Sequence, residues 1–154
     1  MERVERWFNS VAKDESGPRI GDVRARMQSI MSDHFSVYRT EDVMREGVEM
    51  IETVAKEMST ARIVDGCRLF NTELVEAMEL ENLMALARVT AAGALARTES
   101  RGAHARDDCP ERDDEKWLKH TLASIKGGSV ELDYKPVRMK PMTIESFPPK
   151  KRVY

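Results

Sequence analysis

The sequence predicts a mainly α-helical domain: an antiparallel three-helix bundle, similar in plan to a spectrin repeat, with a short β hairpin and an extended C-terminal tail. Three observations predict it. Apolar residues recur at spacings of three and four through most of the chain up to Arg97. Beyond that point, a Lys126-Gly127-Gly128 step separates two short runs of strand-forming residues. Charged residues make up 34% of the chain and hydrophobic ones 41%, a balance that suits helices with one buried stripe and solvated outer faces.

The chain has 154 residues, a length that suits one domain able to bury about two-thirds of its unfolded surface. Residues 1–118 are expected to form the bundle, with a charged loop over 98–115. Residues 119–154 are expected to add the hairpin and tail to the same domain.

The elements follow in order. Met1 to Val11 can form a short amphipathic helix, broken by Asp14-Glu15-Ser16-Gly17-Pro18, with Pro18 suited to open the next helix. In that second helix Ile20, Val23, Met27, Ile30 and Met31 share one stripe, and Ser32-Asp33-His34 ends it. Thr40 is placed to cap the third helix through its hydroxyl. Glu41 and Asp42 then lie in its first turn, where the helix dipole favours negative charge. Its stripe is Val43, Met44, Val48, Ile51, Val54, Ala55 and Met58, and Arg62 to Gly66 reads as a loop. Asn71 caps the longest helix, expected to run to about Arg97 with Leu74, Met78, Leu83, Ala87, Ala91, Ala94 and Leu95 inward. The small residues Ala91-Ala92-Gly93-Ala94 mark an expected close helix crossing. Thr121 to Ile125 and Ser129 to Tyr134 form the hairpin strands, with Val137-Arg138-Met139 as an extension of the second.

Composition and motifs exclude several functions. A net charge of -2 supplies no global field for nucleic acid or anionic membrane. No apolar run approaches the roughly 20 residues of a membrane span. The charged, amphipathic start Met1 to Trp7 is not expected to be a signal peptide. No glycine-rich dinucleotide fingerprint, phosphate-binding loop or nucleophile elbow is present. His34, His104 and His120 have no metal-ligand spacing with one another or with the cysteines. Cys67 and Cys109 are expected to be free thiols, because no Cys-x-x-Cys spacing exists. Catalytic, cofactor-binding and metal-binding residues are therefore assigned to none of this chain. Most of the ten methionines fall at stripe positions and read as core filling.

The densest chemistry is the run Glu99-Ser100-Arg101-Gly102-Ala103-His104-Ala105-Arg106-Asp107-Asp108, continued by Pro110-Glu111-Arg112-Asp113-Asp114. It has two readings. In one it is a solvated loop behind a helix end, with Gly102 the left-handed residue after the last turn and Arg97 and Arg101 near the negative dipole end. In the other it is a docking patch, since guanidinium groups make paired bonds to carboxylates and carbonyls. The candidate docking residues are Arg97, Glu99, Ser100, Arg101, Gly102, His104, Arg106, Asp107, Arg112, Asp113 and Asp114. On this reading the partners of Arg101 lie on other domains, and Arg101→Ala hardly alters this chain alone.

The same run resembles the C-terminal segment of the flavoprotein subunit of succinate dehydrogenase and fumarate reductase. That family carries Glu-Ser-Arg-Gly-Ala-His-x-Arg after a long helix and a Pro-x-Arg-Asp-Asp step after that. Trp117-Leu118-Lys119-His120-Thr121-Leu122 and the ending Pro148-Pro149-Lys150-Lys151-Arg152-Val153-Tyr154 fit it, as do Tyr38-Arg39-Thr40 and Asn71-Thr72-Glu73-Leu74. Ala105 and Cys109 stand where family members often carry larger side chains. The resemblance runs from about Arg24 onward and implies the last quarter of a larger subunit.

It also implies FAD in upstream domains, catalytic residues upstream, and succinate–fumarate interconversion with electron transfer to an iron–sulfur subunit. The expected place is cytoplasmic, at the inner face of the cell membrane, with membrane contact only through the complex and no nucleic acid. This domain would then support the FAD and capping domains. Two rival readings are an L-aspartate oxidase-like flavoprotein fragment, which shares the Glu-Ser-Arg-Gly core, and a stand-alone helical interaction module.

Overall fold

The computed structural model describes residues 2–11, 17–146 and 150. The break at Asp14-Glu15-Ser16 and most of the Pro148 to Tyr154 tail lie outside the described residues. The elements are helices α1 (Glu2–Val11), α2 (Ile20–Phe35), α3 (Glu41–Glu57), α4 (Thr72–Ala96) and α5 (Asp114–Trp117), then strands β1 (Lys119–Lys126) and β2 (Ser129–Pro136). A single 3-10 turn, Met58–Thr60, finishes α3. The architecture is the expected one: a helical bundle with a short hairpin.

Helices α2, α3 and α4 run up, down and up. Arg26 near the start of α2 pairs with Glu57 at the end of α3, whereas Gly47 of α3 lies against His34 and Phe35 at the end of α2. Arg88 of α4 donates to Glu52 of α3 through two of its guanidinium nitrogens, at 2.8 and 2.7 Å. The core is Ile20, Val23, Met27 and Ile30 from α2, Met44, Ile51 and Val54 from α3, and Ala77, Leu80, Met84, Ala87 and Ala91 from α4. The stripes of α2 and α3 are the ones the spacing predicts. Helix α1 adds Trp7, whose indole N–H donates to Glu81 at 2.8 Å, so its apolar body is buried and its polar atom satisfied.

Several local expectations need correcting. Helix α2 continues to Phe35, which is buried, because the aromatic ring closes the bundle end beyond the polar His34. Thr40 occupies the N-cap position of α3 with extended backbone, but its hydroxyl makes no capping bond. The amide of Glu41 donates instead to Asp108 at 2.8 Å, from the charged run. Leu83 faces outward; Ala77, Leu80 and Met84 hold the inner face of α4. The span of Leu74 to Leu95 is long enough for the inward stripe to drift around the helix, and Leu83 fell one residue off it.

The close crossing is not at Ala91 to Ala94. A Cβ on Gly93 would meet only Thr121 of β1, at 3.9 Å. The tight contact is at Gly47, where a Cβ would lie 2.5 Å from His34 Cβ and 2.6 Å from the Phe35 ring. Glycine is therefore required there by the approach of α2 and α3. The loop after α3 is only partly a surface loop, since Ile63 is wholly buried.

The hairpin pairs antiparallel from Lys119↔Pro136 to Lys126↔Ser129, so β1 starts two residues before Thr121 and Val137 to Met139 lies beyond β2. Gly127 and Gly128 both have positive φ at its turn. Cys67 is exposed and Cys109 half-buried, and neither is in a disulfide. Among the described residues, no helix is long and apolar enough to cross a membrane and no cluster of His, Cys, Asp or Glu could hold a metal ion.

Ile51→Ala is expected to lower stability by about 2–5 kcal/mol, because it empties a fully buried site. Gly47→Ala should cost about 1–3 kcal/mol by overpacking the α2–α3 crossing. Leu83→Ala should stay within about 0.5 kcal/mol. Chemical denaturation of the three variants checks the assignment, and a Leu83→Ala loss equal to that of Ile51→Ala would contradict it.

Candidate functional site

The charged run folds into one bonded cluster behind α4. It begins with Glu99, whose side chain is wholly buried. A buried carboxylate is tolerated only when its charge is matched and its lone pairs are filled. Three groups do this with four bonds. Arg97 donates to Oε1 at 2.5 Å, and Arg101 donates to Oε1 at 2.8 Å and Oε2 at 3.0 Å. The Asp113 amide donates to Oε2 at 2.9 Å. Burial on its own would raise the Glu99 pKa; the bonds from Arg101, the Asp113 amide and Arg97 outweigh it and hold the carboxyl below its ordinary value.

The two arginines carry the cluster outward. Arg101 also reaches Asp114 at 2.7 Å, and Asp114 accepts from Arg112 at 2.9 Å. Arg112 donates in turn to the Lys150 carbonyl at 2.9 Å, tying the distal chain to the same node. Arg97 donates to the carbonyls of Trp117 and Lys119 and to the Thr121 hydroxyl, which fixes α5 and the start of β1. Asp113 caps α5 by accepting from the amides of Glu115 and Lys116. The Trp117 indole N–H donates to Thr98 at 3.0 Å, and its ring meets Tyr134 of β2 edge-on at 5.7 Å.

A second node joins the helix ends. Arg106 is buried and grips Asp108 with two parallel bonds, at 2.9 and 2.6 Å. Its remaining nitrogen donates to the carbonyls of Leu95 and Arg97, both at 3.2 Å, where α4 leaves orphan acceptors. Asp108 in turn accepts from the Glu41 amide at the start of α3. A cation thus sits at a helix C-terminus and an anion at a helix N-terminus, each favoured by the local dipole. The Arg106 guanidinium holds the Asp108 carboxyl down at about 2.

His104 links this node to α2. Arg39 donates to its Nδ1 at 2.9 Å, so Nε2 carries the proton and donates to the Arg97 carbonyl at 3.2 Å. Arg39 also donates to the carbonyls of Phe35 and Ser36, closing the end of α2. Burial pulls the His104 pKa below its ordinary value; the bond to the Arg97 carbonyl opposes this, and the charges of Arg39, Arg106 and Arg97 reinforce it. The turn from Arg101 to His104 is closed by two backbone bonds, of 2.7 and 3.1 Å, around Gly102 at φ +59°. Gly102 therefore serves a turn within the run and is not the residue after the last turn of α4. Ser100 accepts from the Arg106 amide at 2.8 Å and donates to the Cys109 carbonyl at 2.7 Å.

All of the singled-out residues are thus brought together, with Asp107 on the outside. Asp107 is exposed, its amide donates to the Arg39 carbonyl at 2.9 Å, and its carboxylate has no partner among the described residues. The expectation that Arg101 finds its partners on other domains is corrected: Glu99, Asp114 and the Asp113 carbonyl bond it within this chain. Sequence reasoning missed Arg39 and Asp108 as members of the cluster. The signal available for Arg39 was its place in the Tyr38-Arg39-Thr40 step; for Asp108 it was its spacing of two from Arg106.

The cluster makes stability depend on acid. Asp108 and Glu99 have depressed carboxylate pKa values, so their contribution is complete above about pH 4 and is lost as pH falls below it. His104 is also depressed, so the unfolded chain takes up its proton first. Its contribution is complete above about pH 6.5 and declines on acidification from there. The melting temperature is expected to fall in two stages, with His104→Gln removing the first and Asp108→Asn reducing the second. Melting curves that are flat from about pH 7 to about pH 5 in the unaltered chain would contradict the His104 assignment. Arg101→Ala should cost the chain about 1–3 kcal/mol, read by denaturant titration.

The family described as fumarate reductase flavoprotein C-term matches residues 24–154. The chain is similar to the succinate dehydrogenase flavoprotein subunit of Rickettsia conorii, 45% identical over 157 residues, which cover 100% of this chain and 26% of that protein. It is 40% identical over 141 residues to the fumarate reductase flavoprotein subunit of Mycobacterium tuberculosis, covering 91% of this chain and 23% of that protein. Among solved structures, E. coli quinol fumarate reductase superposes with a TM-score of 0.84 at 34% identity, over 99% of this chain and 25% of that one. Adenylylsulfate reductase from Archaeoglobus fulgidus, at 19% identity and a TM-score of 0.71, shares the fold alone. The chain spans about a quarter of the length of the curated relatives it matches. The bundle, the bonded cluster behind α4 and these matches lead to one conclusion: the chain belongs to the family of C-terminal domains of succinate dehydrogenase and fumarate reductase flavoprotein subunits.

Proposed function

We propose that this domain buttresses the FAD-binding and capping domains of a flavoprotein subunit that interconverts succinate and fumarate. Electrons then pass to an iron–sulfur subunit, and the complex sits at the inner, cytoplasmic face of a membrane. The names of the relatives support the chemistry, and a structural neighbour described as quinol-fumarate reductase with menaquinol molecules supports the membrane setting. Bundle and hairpin act as one unit, an assignment supported by the bonds from Arg97 to Trp117, Lys119 and Thr121.

The observation that carries the buttress role is the cross-bracing of three helix ends by Arg106, Asp108, Arg39 and His104. Such bracing makes the end of the bundle stiff. It leaves Val37, Tyr38 and Asp107 on the outside, the first two largely exposed. A rigid, mixed apolar and acidic corner suits contact with a second domain. Among the described residues the strands are an antiparallel pair with no glycine-rich turn leading into a helix, which supports placing the dinucleotide-binding fold elsewhere in the subunit. FAD and substrate are accordingly assigned to upstream domains, and no residue here is assigned to catalysis.

The test separates docking from folding. Asp107→Lys reverses an exposed charge with no internal partner. It should leave the melting of this chain within about 0.5 kcal/mol. The same change is then made in a full-length subunit that carries this chain as its C-terminal quarter. Flavin content and recovery with the iron–sulfur subunit should fall. Unchanged flavin content and assembly would refute docking through this corner.

A further inference from the structure

The other end of α4 holds a feature that the charged cluster does not explain. The segment from Val64 to Phe70 is exposed and carries Val64, Leu69 and Phe70 outward, with Phe70 fully exposed. Phe70 also has φ +53°, the sole non-glycine positive φ among the described residues. A bulky aromatic in the left-handed region costs free energy and persists only where its surroundings impose it.

The surroundings do impose it. The Asn71 side chain donates to the carbonyls of Asp65 and Cys67, both at 2.8 Å, and accepts from the Leu74 amide at 2.7 Å. Glu73 accepts from the amides of Val64 and Asp65, both at 2.7 Å. Arg68 makes two 3.0 Å bonds to Glu5 of α1 and stacks over Phe8 at 4.5 Å. Both ends and the middle of the loop are therefore pinned, while its largest apolar side chain touches only solvent. Burying Phe70 against the bundle would remove the strain and gain apolar contact, and the pinning prevents it.

From this we infer that the Leu69–Phe70 loop is a second docking anchor, which inserts into an apolar cleft on the portion of the flavoprotein subunit preceding this domain. The inference rests on the buttress role proposed above. The choice of occupant rests on length: the same fold in the matched structures fills only 25% or 24% of a chain, so some three-quarters of the polypeptide is present to cover this loop. A pre-set aromatic on a pinned loop loses little freedom on docking, which is how such anchors gain affinity. The two anchors stand at opposite ends of the 25-residue α4, about 37 Å apart at 1.5 Å per residue. Contacts so far apart fix orientation as well as position.

Cys67 provides the readout, because it is exposed and lies three residues from Phe70. The chain alone and the full-length subunit carrying it are alkylated with a maleimide, and the labelled cysteine is located by peptide mass mapping. Cys67 should react readily in the chain alone and be protected in the flavin-loaded subunit. Phe70→Ala should leave the melting of the chain alone unchanged and speed Cys67 labelling in the full-length subunit about tenfold or more. Equal Cys67 reactivity in both contexts, in a subunit that holds flavin and responds to Asp107→Lys, would overturn this anchor and leave the buttress role standing. A subunit that loses neither flavin nor assembly on Asp107→Lys, with Cys67 still reactive, would overturn both. Concentration-dependent protection in the chain alone, abolished by Phe70→Ala, would identify a second copy as the occupant and also overturn the proposal.

Discussion

Glu99 sits where no water reaches, and its negative charge dictates what surrounds it. Two guanidinium groups and one amide converge on its two oxygens. Each guanidinium then has donors left over, and that surplus organises the rest. Arg97 uses it on α5 and β1, and Arg101 on Asp114. The strands are largely exposed, so the hairpin's position follows from these polar contacts, from Arg88, which donates to the Gly128 carbonyl at 2.6 Å, and from the Trp117–Tyr134 pair. Removing the carboxylate would leave two half-buried cations facing one another without compensation.

The bundle and the charged run depend on each other in a way that simple layering of helices does not require. Apolar stripes hold α2, α3 and α4 side by side, but stripes alone do not fix where each helix begins and ends. The ends are fixed by Arg39, Arg106 and Asp108, which fill carbonyls and amides that the helices leave open. The charged run is therefore part of the bundle's architecture. At its outer rim Asp107 and Tyr38 stand clear of the internal bonds.

The stripes of α2 and α3, the Asn71 cap and the Gly127-Gly128 turn were legible in the sequence because each follows from a local rule. Periodicity reports which residues share a face, and cap and turn chemistry act over two or three positions. Legibility failed where the decisive contact was distant. Thr40 looked like a cap by type, but its hydroxyl makes no capping bond, and the Glu41 amide finds its acceptor in Asp108, 67 positions away. Ala91 to Ala94 looked like the crossing by size, but Gly47 makes it, since closeness depends on what stands opposite. Arg101 looked outward-facing because its partners Glu99 and Asp114 lay within a run too dense in charge to pair by eye. The family resemblance drew attention to the segment that folds into the bonded cluster, yet it carried no information on which bonds are internal.

The cap on α3 has a consequence for the order in which the chain acquires its structure. The Glu41 amide awaits an acceptor that is made only when Asp108 has been added. On a growing chain, α2 and α3 can pair through their stripes first, with the leading turn of α3 still open to water. The turn closes once α4 is complete and the charged run has folded back along its full length. Ribosomal synthesis thus leaves the start of the third helix until after the fourth, and a ribosome-bound chain stopped before Asp108 carries a bundle with one frayed corner.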